Sequence, residues 1–364
     1  MKLNKFILFL ISLLIPVFVL SGKGFTETQQ EVTAVDALGR YVSVKLPIEK
    51  ILVVGRAAIM PADALYLFPS VHDKEVYLAT TDQGLGDFFS LIKPYFKNEK
   101  RLAQQVSAEE IIALKPDLVI TKTNNYETIG KQLETFNIPL FIMDLETPQA
   151  WKDEVVQLGI LLGDNDTPKR VIDNFEKREK FVAQKLESLR EEEKPKVLIT
   201  QVAQADGTTA FSVSPKDWIQ NQLVTLSKGT PVWIDSKFSS NGWSKISFEQ
   251  IASWDADYHF LVNYRSATTP FLKEIYSSNK YSHLRSYRDQ NILGTPADYT
   301  NYFQSDSRWI LALLWLSSTL HPQQFSDFDM EKEIKSFYLD FYNISDEKIV
   351  ETLIDAYRES IKGI

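Results

Sequence analysis

Polar, cationic and aromatic residues repeatedly follow short apolar segments of a kind typical of buried strands. The segments are ILVVG from Ile51, LVIT from Leu118, VLIT from Val197, FLVN from Phe260 and NILG from Asn291. The residues that follow them are Arg56, Lys122, Asn124, Tyr126, Gln201, Gln204, Tyr264, Arg265, Tyr299 and Tyr302. Aromatic faces bury apolar area, and arginine offers a planar fork to carboxylate or phosphate groups. The set therefore suits a ligand that combines flat apolar surface with negative charge.

A structural interpretation of the same residues stays open at this point. Tyr302 precedes a helical pattern and can simply pack on that helix. Arg56 and Arg265 can each pair with an acidic neighbour in their own part of the chain.

The sequence contains no motif of a catalytic or nucleotide-binding site. There is no G-x-S-x-G, no H-E-x-x-H and no phosphate-binding loop. The four histidines lie far apart, and His259 falls in an apolar segment where a hydrogen-bonded core role is expected. Cysteine is absent, which excludes disulfides, thiolate metal clusters and a cysteine nucleophile. We therefore expect no enzyme activity, no cofactor and no metal site of its own, while a catalytic carboxylate pair among the 48 acidic residues stays open because no motif selects one.

The elements that must position these residues alternate between strand and helix. Strands separated by helical patterns predict parallel sheets covered by helices on both faces, with ligands at the carboxyl ends of the strands. One phrase also recurs: VSAEEIIALKPDLVIT, Val106 to Thr121, and ISFEQIASWDADYHFLV, Ile246 to Val262. Each copy opens with a capping-box pattern, Ser107 with Glu110 and Ser247 with Gln250. The repeat predicts two similar α/β lobes, each doubly wound.

A single long helix is predicted between the two sets of strands. Thr167 is a plausible N-cap, Pro168 suits the first helical position, and apolar residues recur at helical spacing as far as Leu189. A helix from Thr167 to Glu193 would be about 40 Å long. It predicts a stiff pair of lobes with the ligand cleft between them.

The N-terminus has the form of a secretory signal. Lys2 and Lys5 precede the apolar run Phe6 to Leu20, which is shorter than the roughly 20 residues that span a bilayer. Retention of this run as a membrane anchor stays an alternative. Lys23 stands where a lipoprotein would carry its lipidated cysteine, so the chain is not a lipoprotein. The formal charge of −8 gives no electrostatic reason to expect nucleic-acid binding. We expect the protein on the periplasmic or extracellular side.

The predicted organisation follows from these segments. It comprises a signal peptide (1–28), an N-terminal lobe (29–166), the interlobe helix (167–194), a C-terminal lobe (195–325) and a helical extension (326–364).

The sequence resembles the iron-siderophore and cobalamin class of periplasmic substrate-binding proteins of ABC importers. The resembling features are VDALGRYVSV from Val35, PIEKILVVG, both copies of the repeat, and WILALLWLSSTLHPQQF from Trp309. The resemblance implies two α/β lobes joined by one helix, a metal-chelate ligand, permease subunits as partners and a monomeric protein. The tail from Glu331 to Leu353 is similar to an extension on members linked with iron chelates and with molybdate or tungstate.

The resemblance also assigns roles to individual residues. Trp243 lies just before the second repeat, where cobalamin-binding relatives place a ligand-contacting Trp, whereas the matching position of the first repeat is Ala103. Asp63 matches an exposed acidic residue that meets the permease, and it is expected to face outward. Thr230 stands where the second docking acid is usual. Asp217 or Asp235 could replace that acid.

The expected ligand is a metal chelate, with a ferric siderophore first. Molybdate or tungstate is the alternative in the same class and would need hydroxyl and N–H donors, which the loops of Ser214, Thr295 and Asn124 can supply. Cobalamin or heme is a further alternative, although Ala103 argues against cobalamin. A secreted glycan hydrolase is the alternative from another class. It would require two carboxylates about 5–10 Å apart in the cleft.

Overall fold

A computed structural model describes residues 30–80, 86–96, 98–205, 207–236, 238 and 242–362. The expected signal peptide lies outside the described residues. Within them, no helix combines the length and the apolar character that crossing a membrane would require.

The N-terminal lobe contains a wholly parallel sheet. A β-ribbon, β1 (Glu31–Val35) and β2 (Tyr41–Lys45), precedes it. The sheet strands lie in the order β5-β4-β3-β6-β7. They are β3 (Lys50–Val53), β4 (Glu75–Ala79), β5 (Glu99–Leu102), β6 (Leu118–Lys122) and β7 (Leu140–Met143). The helices of this lobe are α1 (Ile59–Leu65), α2 (Phe88–Leu91), α3 (Ala108–Ala113), α4 (Lys131–Thr135) and α5 (Pro148–Leu162).

The long interlobe helix, α6 (Asp166–Lys185), joins the lobes. It begins one residue before the predicted start and ends eight residues before the predicted Glu193, so its 20 residues span about 30 Å. The helix stops at Leu186, and a separate short turn follows at Glu191–Glu193. The predicted end of the helix was too late because it rested on apolar spacing alone. Leu186 is buried as that spacing suggests, but it caps the helix and does not continue it.

The C-terminal lobe contains a mixed sheet in the order β11-β9-β8-β12-β13, with β10 also pairing with β8. Its strands are β8 (Lys196–Ala205), β9 (Thr208–Val213), β10 (Thr230–Pro231), β11 (Ser244–Ile246), β12 (Tyr258–Val262) and β13 (Ile292–Gly294). The central strands are parallel as predicted, but β9 runs antiparallel to β8 and β11 runs antiparallel to β9. The hairpin β8–β9 was not predicted, because only the apolar start of β8 was recognised as a strand.

The remaining helices surround this sheet and cover the back of both lobes. They are α7 (Ile219–Leu226), α8 (Phe248–Trp254), α9 (Thr269–Tyr276), α10 (Arg285–Arg288), α11 (Trp309–Leu320), α12 (Met330–Tyr342) and α13 (Glu347–Ser360). Helices α12 and α13 form the C-terminal extension.

The two copies of the sequence repeat form the same local structure. Ser107 and Ser247 both cap their helices in complete capping boxes, which confirms the prediction. The repeated aspartates also act alike. Asp117 accepts the backbone N–H of Lys50 at the start of β3, and Asp257 accepts that of Lys196 at the start of β8, at 2.8 and 2.7 Å. Each copy therefore fixes the first residue of the neighbouring parallel strand.

Aromatic side chains pack the interlobe helix against both lobes. The ring of Phe175 in α6 lies 4.9 Å from Trp151 of α5, in the N-terminal lobe. It stacks at 4.7 Å on Trp309 of α11, in the C-terminal lobe, and lies 4.8 Å from Phe341 of α12. All four side chains are fully buried. One residue thus contacts both lobes and the C-terminal extension.

A buried charge network ties the lobes together beside this aromatic cluster. Arg308, at the start of α11, donates through Nη1 to Oδ1 of Asp63 on α1 at 2.8 Å and through Nε to Asp298 at 3.2 Å. Asp306 Oδ2 lies 3.7 Å from Arg308 Nη1, and burial raises the pKa of this carboxyl well above its usual value. Arg308 also lies 4.1 Å above the ring of Phe88.

The C-terminal extension completes this network. Tyr342 of α12 donates to Asp63, and Tyr338 donates to Asp298. The backbone N–H of Ser307 donates to the second oxygen of Asp63 at 2.7 Å. The expectation that Asp63 faces outward to meet a permease is therefore wrong. Its carboxylate has no exposed surface because it neutralises a buried arginine of the other lobe.

We expect Arg308→Leu to lower the free energy of unfolding by about 3–5 kcal/mol, because it leaves buried carboxylates without their counter-charge. Arg358→Leu is the matched control. Arg358 also pairs with several acids, Glu331, Glu351 and Asp355, but at the surface. Its removal should leave the unfolding free energy nearly unchanged. Urea denaturation of both variants is the measurement. Similar losses in the two variants would contradict the importance of the buried network.

Candidate functional site

A cleft of about 670 Å³ lies between the lobes at the carboxyl ends of the strands. Every strand of the N-terminal sheet delivers a residue to it. Arg56 follows β3, Thr80 follows β4, Gln104 follows β5, Asn124 follows β6 and Glu146 follows β7. This is the edge of a parallel sheet where ligands are expected, because the strand ends and their loops converge there.

The C-terminal lobe contributes a wall of different character. Tyr264 and Arg265 follow β12, while Trp218 and Gln220 lie at the start of α7. Trp243 lies just before β11. Gln304 and Ser305 line the cleft from the segment between β13 and α11.

Three aromatic rings form one side of this wall. The ring centroids of Trp218 and Trp243 are 6.4 Å apart, and those of Trp243 and Tyr264 are 6.1 Å apart, both in edge-to-face arrangements. The Tyr264 hydroxyl donates to the carbonyl oxygen of Phe303 at 3.3 Å and accepts from Gln220. Burial, reinforced by the nearby carboxylate of Glu146, raises the pKa of Tyr264. The phenol therefore stays neutral, and the wall offers flat apolar faces to a ligand.

Cationic groups face the cleft from opposite lobes. Arg56 and Arg265 are both exposed, and neither guanidinium forms an ion pair with any residue that the structure describes. Lys122 differs, because it is buried and pairs with Glu146. Glu146 in turn accepts the hydroxyl of Ser305 of the other lobe at 2.5 Å. The positive charge available to a ligand is therefore that of the two arginines.

A family comparison agrees with this geometry. The sequence pattern of the family described as periplasmic binding protein matches residues 97–299, more than half of the chain. This chain belongs to the periplasmic binding protein family. The matched residues include much of both sheets and most of the cleft.

Individual relatives match most of the chain in sequence or in fold. The molybdate-binding protein MolA of Haemophilus influenzae is 24% identical in a match that covers 74% of this chain and 83% of that protein. A periplasmic solute-binding protein of Veillonella parvula superposes with a TM-score of 0.67 at 20% identity, covering 91% of this chain and 98% of that one. CeuE of Helicobacter pylori, solved with nickel and histidine, gives a TM-score of 0.69 at 17% identity, covering 89% and 99%. These similarities confirm the predicted two-lobed α/β fold.

Eight of the ligand-binding residues proposed from the sequence meet in the cleft of this periplasmic binding protein. They are Arg56, Lys122, Asn124, Gln201, Gln204, Trp243, Tyr264 and Arg265. Tyr299 lies beside an adjoining cavity of about 70 Å³ that shares Tyr264 with the cleft.

Two further predicted residues lie elsewhere. Tyr126 points away from the cleft, because its hydroxyl donates to Glu134 at 3.0 Å and Arg40 lies over its ring. Tyr302 is fully buried and stacks on Tyr357 of the C-terminal extension. Neither belongs to the site, and for Tyr302 the structural interpretation was the right one.

Sequence reasoning missed Trp218, Gln220, Gln304 and Glu146. The apolar residue that follows Trp218 opens a helix, and a tryptophan directly before a helix was a usable signal. The other three gave no such signal. Their positions depend on contacts between distant parts of the chain, such as that of Glu146 with Ser305.

The described residues of the cleft do not include the pair of carboxylates that glycoside hydrolysis requires. Among the described residues that line it, Glu146 is the one carboxylate, and it is already paired with Lys122. A glycosidase needs two carboxylates. No group of three or more metal-ligating side chains occurs in the described part of the chain.

Trp243→Ala should weaken solute binding by roughly one to two powers of ten, because the variant loses a large apolar contact surface in the cleft. Trp254→Ala is the control, since Trp254 packs against Phe238 away from the cleft. Titration calorimetry on folded variants would measure the affinities. Normal binding by a Trp243→Ala protein whose stability has fallen sharply would show that Trp243 serves the core.

Proposed function

We propose that the protein is an exported solute-binding protein that delivers an anionic metal chelate, in the first place a ferric siderophore, to an ABC importer. The observation that carries the proposal is the pair Arg56 and Arg265, which face one cleft from opposite lobes beside an aromatic wall. Arginine pairs well with carboxylate and phenolate groups, and the aromatic rings can bury the organic part of a chelate.

The size of the cleft supports an organic ligand. Clefts that enclose drug-sized molecules measure about 300–1,000 Å³. The present cleft of about 670 Å³ lies within that range. A bare tetrahedral oxyanion would fill only a small part of it.

Molybdate or tungstate is the second candidate, favoured by the similarity to the molybdate-binding protein of Haemophilus influenzae. The donors that the sequence suggested for such an oxyanion do not lie together in the cleft. Ser214 is buried outside the cleft, and Thr295 donates to the carbonyl oxygen of Leu261 beside the small adjoining cavity. Only Asn124 of that set lines the cleft. Cobalamin or heme would use the same aromatic wall and is distinguished by the experiment below.

Contact with the permease must use residues other than Asp63, because that carboxylate is buried. Asp217 and Asp235 are both exposed in the C-terminal lobe, where Thr230 replaces the usual acid. We keep them as the proposed docking acids of this lobe. The proposal includes export by residues 1–28 and action as a monomer outside the cytoplasmic membrane.

Native mass spectrometry of the protein purified from its own host tests the proposal. The unaltered protein should retain a metal-containing organic solute, and the Arg56→Ala/Arg265→Ala protein should be isolated largely empty because the anion has lost both counter-charges. Arg190→Ala, at an exposed arginine remote from the cleft, should retain the solute. Retention of molybdate or tungstate alone would favour the second candidate. Retention of the same solute by the double variant would show that the arginines do not bind it.

A further inference from the structure

The deep part of the cleft has a different chemistry from its mouth. Lys122 and Ser305, which both donate to Glu146, line the cleft and are buried. Three further side chains that line it are almost completely buried: Glu146, Gln220 and Gln304, with exposures of 9%, 2% and 1%. We call these three residues the floor. Arg56 and Arg265, in contrast, are exposed.

The orientation of the Gln220 amide is fixed by its partners. Its Nε2 donates to the carbonyl oxygen of Phe303 at 2.8 Å and to the hydroxyl of Tyr264 at 3.2 Å. A carbonyl oxygen can only accept, so an exchanged amide would place two acceptors against each other. The Oε1 atom of Gln220 therefore points away from Phe303, and it has no hydrogen-bond partner among the described residues.

Gln304 lacks partners for its whole amide. Neither its Oε1 nor its Nε2 forms a hydrogen bond within the described part of the chain, so exchanging the two atoms changes nothing. The backbone that carries Gln304 is held in place, because the hydroxyl of the next residue, Ser305, donates to Glu146 of the other lobe. Buried amide groups without partners are rare in proteins because they are unfavourable. The terminal torsion of glutamine is soft, so this amide can turn to meet a ligand.

The unpartnered groups of the floor include both acceptors and donors. Gln220 and Gln304 each carry a carbonyl oxygen without a partner, and the Gln304 amide nitrogen adds N–H donors. Both oxygens of Glu146 already accept, from Lys122 and from Ser305. An oxyanion has only acceptor atoms, so it can accept from the Gln304 N–H groups but leaves the two carbonyl oxygens without a donor. A ligand with N–H or O–H groups would satisfy them.

We propose that Gln304 and Gln220, with Glu146, form a subsite for neutral hydrogen-bond donors on the organic scaffold of the ligand, while Arg56 and Arg265 hold its anionic part at the mouth. This inference rests on the proposed function and narrows its substrate class to chelates whose scaffold carries amide or alcohol donors.

The test uses two matched probes and molybdate. The first probe is a carboxylate-terminated ferric trishydroxamate with secondary amides in its linkers, and the second is the same chelate with those amides N-methylated. The two have the same charge and differ in their donors. Titration calorimetry should show that the unaltered protein binds the N–H chelate about tenfold more tightly than the methylated one, as expected for one well-made hydrogen bond.

The variants locate the origin of this preference. Gln304→Met keeps the side-chain length but removes both the carbonyl oxygen and the nitrogen of the amide. It should abolish the preference by weakening binding of the N–H chelate alone. Gln222→Met is the matched control on the same helix as Gln220, and it should retain the preference because Gln222 does not line the cleft.

Equal affinity of the unaltered protein for both chelates would overturn the subsite and leave the chelate function standing. If Gln304→Met kept the preference for the N–H chelate, the subsite would likewise be overturned and the chelate function would stand. Binding of molybdate with no binding of either chelate would overturn the subsite and the chelate function together. If none of the three probes binds, the subsite is overturned, and the solute found by native mass spectrometry decides separately on the chelate function.

Discussion

The burial of Arg308 is the constraint on which the arrangement of the two lobes depends. Removing a guanidinium from water is costly unless charges and hydrogen bonds replace the solvent. Asp63 of the N-terminal lobe, Asp298 of the C-terminal lobe and Tyr338 of the extension supply these partners. Separating the lobes would leave charges of both signs buried and unpaired. The cleft is therefore held in shape before any solute arrives.

This constraint extends from the back of the molecule to the floor of the cleft. The segment from Gln304 to Arg308 is buried throughout. Ser307 and Arg308 bind Asp63 at one end, while Ser305 binds Glu146 at the other. The same short segment thus joins the lobes and positions Gln304. The cleft therefore has uncharged amides on a fixed backbone at its floor and exposed arginines at its mouth.

Features set by neighbouring residues could be predicted from the sequence. The capping boxes at Ser107 and Ser247 and the five apolar strand segments depend on local patterns, and each was found. The end of a parallel strand also predicts a position at the cleft, which is why Arg56 and Arg265 were recognised. Features set by distant residues could not be predicted. Asp63 looks like a surface acid among alanines, and its partner Arg308 lies 245 residues away in the sequence.

Tyr302 illustrates the same limit in the site itself. It follows β13 as a cleft residue would, but α13 packs against it from the far end of the chain. No sequence pattern pointed to Glu146, Gln220 or Gln304, because each is an isolated polar residue. The carbonyl oxygen of Gln220 and the whole amide of Gln304 lack partners in the described structure, and only three-dimensional contacts reveal that.

The central claim is that the cleft is preformed, and small-angle X-ray scattering of the solute-free and solute-loaded protein tests it most directly. Because α6 and the Arg308 network join the lobes, the two scattering profiles should nearly superimpose. A clear decrease in the radius of gyration on loading, as expected for lobes that close about a hinge, would contradict the account.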